Sequence, residues 1–243
     1  MSRLRNAMRR LLLALALLCW ATCAEAAWAA ASLTTGNNSN NPNLTASISP
    51  SANSILVLGL FCQSTGTPTV TGNGLTWTQR GSRALPTSTG YTVQLFTASG
   101  ASPSAGQVTI NFGSAIDCGW TIDELTGGNI TTPFIQAATG NGTGTALAAT
   151  LAAFENAGNA TFAVAGHVNS TFTPGTNFTE LNDVASLQGL RQFSEWQNAA
   201  DTSVDATGSA SDQWAMVAVE LDEVAAAAGT NGPRCLLIGA CDQ

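Results

Sequence analysis

The sequence predicts an all-β protein, an antiparallel β-sandwich of jelly-roll type assembled from two pseudo-repeated halves. Three observations carry that expectation. Short runs rich in Thr, Val, Phe and Trp recur along the chain, separated by Gly, Pro and Asn, and no long stretch has helical periodicity. Charged residues make up 9% of the chain, against a typical ~25%, so Thr, Ser, Asn and Gly must solvate the surface. The hydrophobic fraction is nevertheless 44% and clustered, which favours a packed core over disorder.

The chain is 243 residues long, enough for one large β-domain or two small ones. Residues 1–26 form a separate segment. Arg3, Arg5, Arg9 and Arg10 precede an apolar run from Leu11 to Trp20, and Ala24-Glu25-Ala26 follows. That is the form of a bacterial secretory signal peptide, with Arg9-Arg10 a generic basic start rather than a twin-arginine signal. The apolar run is shorter than the ~20 residues a membrane span needs. Export with cleavage is therefore expected, to a secreted, periplasmic or cell-surface location, with no transmembrane anchor left in the mature chain. A lipid anchor on Cys19 or Cys23 is the lesser alternative.

The net charge is −7, and lysine is absent. Beyond the leader only Arg80, Arg83, Arg191 and Arg234 are cationic. A chain this acidic, without a basic patch, does not suit nucleic acid as a partner. A glycan or other cell-surface polymer suits it better.

Residues 27–45 read as an exposed lead-in, and the sandwich is expected over 46–223, its halves at about 46–128 and 145–223. Leu44–Ile48 alternates as a first edge strand. Ser54–Cys62 is apolar on both faces, so it belongs in mid-sheet and covered on both sides. Leu75–Gln79 alternates with Leu75 and Trp77 inward, Tyr91–Phe96 follows, and Val108, Ile110 and Phe112 point one way. Cys118–Leu125 closes the first set. Thr126–Gly128 and Thr139–Gly144 read as a Gly/Thr-rich connection. Ala146–Phe154 suits either a strand or a short helix. Asn159–His167 then echoes Ser54–Cys62, Leu190–Gln197 echoes the Tyr91 strand, Thr202–Thr207 the Val108 strand, and Trp214–Leu221 the Cys118 strand. Residues 224–243 read as a linker and a short apolar tail carrying Cys235 and Cys241.

Four cysteines remain in the mature chain, Cys62, Cys118, Cys235 and Cys241. An even number in an exported protein points to disulfides, with three possible pairings. The internal alignment adds that Cys62 ends one strand and Cys118 begins the last strand of its half. Antiparallel neighbours would place the two face to face. The same positions in the second half hold His167 and Trp214, which makes the single histidine a packing residue rather than a triad member; no Gly-x-Ser-x-Gly elbow is present.

Asp123-Glu124 and Glu220 with Asp222-Glu223 are expected as exposed strand-end acids. A polysaccharide hydrolase or lyase acting through Glu124 or Glu220 is the enzymatic alternative, since glycosidases need paired carboxyl groups across a cleft. Trp77, Trp120, Trp196 and Trp214 sit within strand patterns; Trp77 and Trp214 read as core, and Trp196, between Glu195 and Gln197, as the candidate exposed platform for a sugar ring. No cofactor is expected. Ca²⁺ is the one ion that the oxygen ligands of Asp201, Asp205 and Asp212 would suit, although neither an EF-hand nor a Ca²⁺-binding repeat is present.

The succession SANSILVLGLF, NGLTWTQ, YTVQLFTA, VTINF and WTIDELTG, then NATFAVAG, FTPGTNFTEL and WAMVAVEL, resembles a group of bacterial secreted and phage-associated β-sandwich domains similar to concanavalin A-like or jelly-roll modules. The resemblance spans roughly Ala46 to Glu223 and implies fold and setting; it brings no catalytic residues. A non-catalytic exported module for surface structure, adhesion or glycan binding is the expected function. A phage structural or fibre domain is a further alternative, which the leader disfavours.

Overall fold

The structure, a computed structural model, describes residues 27–185 and 189–224. Cys235, Cys241, the leader and the C-terminal tail lie outside the described residues. Described strands of the first part are β1 (Ala29–Asn38), β2 (Asn43–Leu44), β3 (Ser54–Cys62), β4 (Thr69–Thr71), β5 (Thr78–Ala84), β6 (Thr92–Gly100), β7 (Thr109–Asn111) and β8 (Cys118–Thr126). Those of the second are β9 (Phe134–Thr150), β10 (Ala160–Val168), β11 (Phe172–Pro174), β12 (Thr179–Ala185), β13 (Leu190–Gln197) and β14 (Ser203–Leu221). No α-helix occurs among the described residues.

All pairings are antiparallel. One sheet runs β1-β8-β3-β6-β5, and a small sheet runs β2-β7-β4. The other large sheet runs β11-β14-β10-β13-β12, with β9 also on β14. Strands β9 and β14 are long and change register between Thr207 and Asp212. Their residues 134–144 and 212–221 pair beside β10, as β1 and β8 pair beside β3. Their residues 146–150 and 203–207 pair next to β11, as β2 and β7 pair next to β4.

Three cores result. Between the large sheets, Ile55, Val57, Phe61 and Leu95 meet Phe162, Val164, Val217 and Val219. Outside the first sheet, Leu56, Leu58, Leu60 and Ile122 pack under Val108 and Ile110. Outside the second, Ala163, Ala165, Phe193 and Met216 pack under Leu147 and Val204. Alternate residues of β3 thus enter different cores, so the strand is buried along its whole length and reads as an unbroken apolar run. Each of its large side chains contributes roughly 1.5–3 kcal/mol by leaving water.

The large sheets approach closely where β3 and β10 carry glycine. A Cβ at Gly59 would lie 2.5 Å from Val164 Cγ1, and one at Gly166 would lie 2.7 Å from Phe61 Cγ. No larger residue fits without separating the sheets.

Two expectations about elements are corrected. The lead-in over 27–45 contains β1, paired with β8 from Ala29 to Asn38, so the sandwich begins at Ala29. The connection over Thr139–Gly144 lies inside β9, and Ala146–Phe154 is strand as far as Thr150. Both are edge strands whose order comes from backbone pairing to β8 and β14. Their side chains are mostly half-buried or exposed, so no apolar alternation marks them. The expected edge strand Leu44–Ile48 shrinks to β2 and an isolated bridge from Ile48 to Gly106.

Candidate functional site

The β5–β6 pairing passes from Gln79 opposite Phe96 to Gly81 opposite Leu95, leaving Arg80 as the unpaired residue of a bulge. Bulges bend a strand and re-aim a side chain. Here the Arg80 side chain enters an open groove of about 550 Å³ where β5 and β6 meet the segment leading into β9. Its Nε donates to Thr97 Oγ1 at 2.8 Å, and its guanidinium carbon lies 4.4 Å from the Phe134 ring centroid. That stacking is a cation–π contact and fixes the plane of the guanidinium. Ser99 Oγ donates to the Ile130 carbonyl at 2.7 Å and holds the groove's far wall to β6. Burial lowers the Arg80 pKa from its usual value. Arginine nevertheless stays charged at any working pH.

The groove wall carries the hydroxyls of Thr76, Thr78, Thr97, Ser99, Ser102 and Thr131, and it contains no carboxylate. Among the described residues the one ion pair is Arg191 with Asp183, Nε to Oδ1 at 2.9 Å. Arg80 is therefore a cation without a protein counter-ion. The edge strand of the other large sheet has a bulge too: β12 passes from Glu180 opposite Glu195 to Asn182 opposite Ser194 and leaves Leu181 unpaired. Leu181 packs against the central core.

The residues singled out in the sequence are scattered. Cys62 and Cys118 are register partners on β3 and β8 and form a buried disulfide. His167 and Trp214 are register partners on β10 and β14. His167 is buried, with Nδ1 2.7 Å from the Val168 carbonyl and Nε2 3.3 Å from that of Gly144, and its ring meets Phe172 edge-on. Both partners are acceptors, so the neutral ring donates to one of them, according to its tautomer. Trp120 and Trp214 are buried, lying over Gly36 and Gly142, and Trp77 is half-buried against an outer core. Trp196 is half-buried, paired with Phe162 and Thr179 and packed against the central core. It lies outside the groove at Arg80.

The strand-end acids are not exposed, which corrects that expectation. Glu124 accepts hydrogen bonds from Ser51 N at 2.5 Å and Ser51 Oγ at 3.0 Å, closing the turn before β3. Glu220, fully buried, accepts from Gln136 Nε2 and Asn159 Nδ2, both at 2.5 Å, and secures the start of β10. Asp123 points the other way, between the large sheets, where its Oδ1 accepts from Asn182 Nδ2 at 2.6 Å. Burial pushes its carboxyl up to about 7. Glu195 is buried on β13 and accepts from Gly175 N at 3.0 Å; burial first, then the charges of Asp205 and Glu180, push it up to about 8. Asp201 and Asp212 accept from the nearby backbone nitrogens of Ser203 and Gln213. No group of three or more His, Cys, Asp or Glu placed to hold a metal ion occurs among the described residues.

Sequence reasoning missed Arg80 and Glu195, and it placed Asp123 at the surface rather than between the sheets. For Arg80 a signal existed: the alternation of Leu75 and Trp77 fails at Arg80-Gly81, as it must at a bulge. Fold and groove together define an antiparallel β-sandwich with a hydroxyl-lined site on one edge. Compared with family models, curated proteins and solved structures, the chain matched none.

Proposed function

We propose that the protein is an exported, non-catalytic β-sandwich module that binds glycan at a cell surface or in the extracellular matrix. The observation that carries this reading is the groove at Arg80, an open polar surface beside β5 and β6 lined by serine and threonine residues, a residue type that can both donate and accept hydrogen bonds. The N-terminal segment and the Cys62–Cys118 disulfide support export, because disulfides persist in oxidising compartments. Glu124 and Glu220 are each engaged by the turn beside them, which supports a structural role for both.

We further propose that the module is a duplicated unit. In each large sheet the order of strands is the same, β1-β8-β3-β6-β5 and β9-β14-β10-β13-β12. The contacts between sheets are reciprocal as well: β1 lies against β12, and β5 against β9. A screen of the purified full chain against an array of polysaccharides tests the binding role. Retention of one or more glycans is expected, and failure to retain any overturns it.

A further inference from the structure

We propose that the groove at Arg80 recognises a carboxylate-bearing sugar, a uronate unit of a glycan. The proposal rests on the glycan-binding reading above and names the ligand class of that site.

The argument begins with the charge. Arg80 is half-buried, and its Nε is engaged by Thr97 Oγ1. Its two terminal nitrogens have no hydrogen-bond partner among the described residues, and no carboxylate of those residues pairs with it. Part of the guanidinium stays open to water in the groove. None of the described Asp and Glu residues lines the groove. An anion entering it would meet the Arg80 charge without competition from those carboxylates.

The shape of the donor set selects the anion. Phe134 and Thr97 hold the guanidinium plane and leave its outer edge, the two terminal N–H groups, without a partner among the described residues. That edge matches the two oxygens of a planar carboxylate, a bidentate geometry that a lysine cannot reproduce. The same groove is lined by Thr76, Thr78, Ser102 and Thr131, which lie on or beside β5, just after β6 and in the 130–133 segment. A partner with one carboxylate and many hydroxyls satisfies both features, and a uronic acid has that composition.

The other sheet shows that the fold does not require arginine here. At the β12 bulge the unpaired residue is Leu181, which packs into the central core. An apolar side chain suffices to close such an edge. Arginine at Arg80 gives up that packing and gains a charge, which is the trade expected of a ligand contact.

The test is calorimetric titration of the purified full chain with tetragalacturonate, with its methyl ester, and with a sulfated tetrasaccharide. The ester keeps every hydroxyl and removes the charge. The acid should bind about tenfold or more tightly than the ester, as expected for a charge-assisted bidentate contact. Arg80→Leu should erase the difference while leaving Tm within a few degrees, since Leu181 fills the matching bulge. Arg80→Lys should retain part of the preference, and that part should weaken with added salt. Equal binding of acid and ester by the wild type overturns the uronate assignment and leaves glycan binding standing. Preference for the sulfated sugar overturns it too, in favour of a tetrahedral anion. An Arg80→Leu chain that folds and still prefers the acid overturns the role of Arg80. Binding of none of these, with none on the array, overturns both readings.

Discussion

Replacing Asp123 by asparagine should make the protein more stable at alkaline pH and leave it unchanged at acid pH. Asp123 lies between the large sheets with no exposed surface. Its Oδ1 accepts from Asn182 Nδ2, which also donates to Ser194 Oγ at 3.0 Å, while Asn182 Oδ1 accepts from Ser32 Oγ at 2.7 Å. Its Oδ2 has no partner. Burial is the dominant influence and raises the carboxyl from 3.8 to about 7; the hydrogen bonds from Ser194 and Asn182 pull it down by less. A carboxyl raised on folding binds its proton more tightly in the folded than in the unfolded chain. The stability it contributes is full below pH 4 and is lost as pH rises through 7. Three pH units correspond to about 4 kcal/mol in all, of which about 2 kcal/mol disappears between pH 5.5 and 8.5. For a domain of this size that is a fall in Tm of roughly 4–8 °C. Asparagine resembles the protonated acid, so the variant should lack this component. The assay is thermal unfolding of wild type and Asp123→Asn at both pH values, read as a difference of differences. That cancels Glu195, which burial pushes up to about 8 and which should destabilise both chains alike over the same range. Equal pH dependence in the two chains would refute the reasoning.

The other predictions concern packing and covalent structure. The Cys62–Cys118 bridge spans 56 residues, and removing it as Cys62→Ala with Cys118→Ala should cost about 4 kcal/mol by chain entropy. Denaturant midpoints with and without reductant read this out; insensitivity of the wild type to reductant under denaturing conditions would count against the bridge. Gly59→Ala should cost about 1–3 kcal/mol, because the new methyl meets Val164, Gln192 and Thr121 within 3 Å. Gly90→Ala, where nothing lies within 4 Å, is the control and should be nearly neutral. Equal effects at the two glycines would mean that the sheets are not packed as tightly as the structure shows.

How much of this was legible in the sequence depended on how each residue is buried. Ser54–Cys62 stood out because a strand covered on both faces has no polar side to interrupt it. The Cys62–Cys118 pairing followed from antiparallel register at a strand end, as did the pairing of His167 with Trp214. By contrast β1 and the first part of β9 are edge strands of Ala, Thr, Asn and Gly, and their position is set by β8 and β14. Nothing local marks them. The acids misled for a related reason. Asp123 and Glu124 look alike in sequence, but β8 is covered on both sides, so neither reaches solvent and each enters a different layer. Arg80 was hidden because a bulge abolishes the alternation from which facing is inferred.

The two seams between the large sheets have been put to different uses, and this bears on where function resides. Along the first, β1 lies against β12, and the chain of Ser32, Asn182 and Asp123 joins the sheets through hydrogen bonds, that of Asn182 to Asp123 being buried. Leu181, at the bulge of β12, packs into the core between the sheets. Along the second, β5 lies against β9, and Arg83 Nη2 donates to Asn141 Oδ1 at 2.6 Å while Asn141 Nδ2 donates to the Ala84 carbonyl at 2.9 Å. Near that clasp lies the groove, lined by Arg80 of β5, which stacks on Phe134 of β9, and by Ile130, Thr131 and Pro133 of the segment before β9. A single sandwich unit would have no such seam. On the reading of the chain as a duplicated unit, the groove lies where the first copy meets the segment that leads into the second. One seam can then keep the copies together while the other is free to meet a ligand. The bulge occurs twice, but only one copy places an arginine there, the other placing Leu181 in the core.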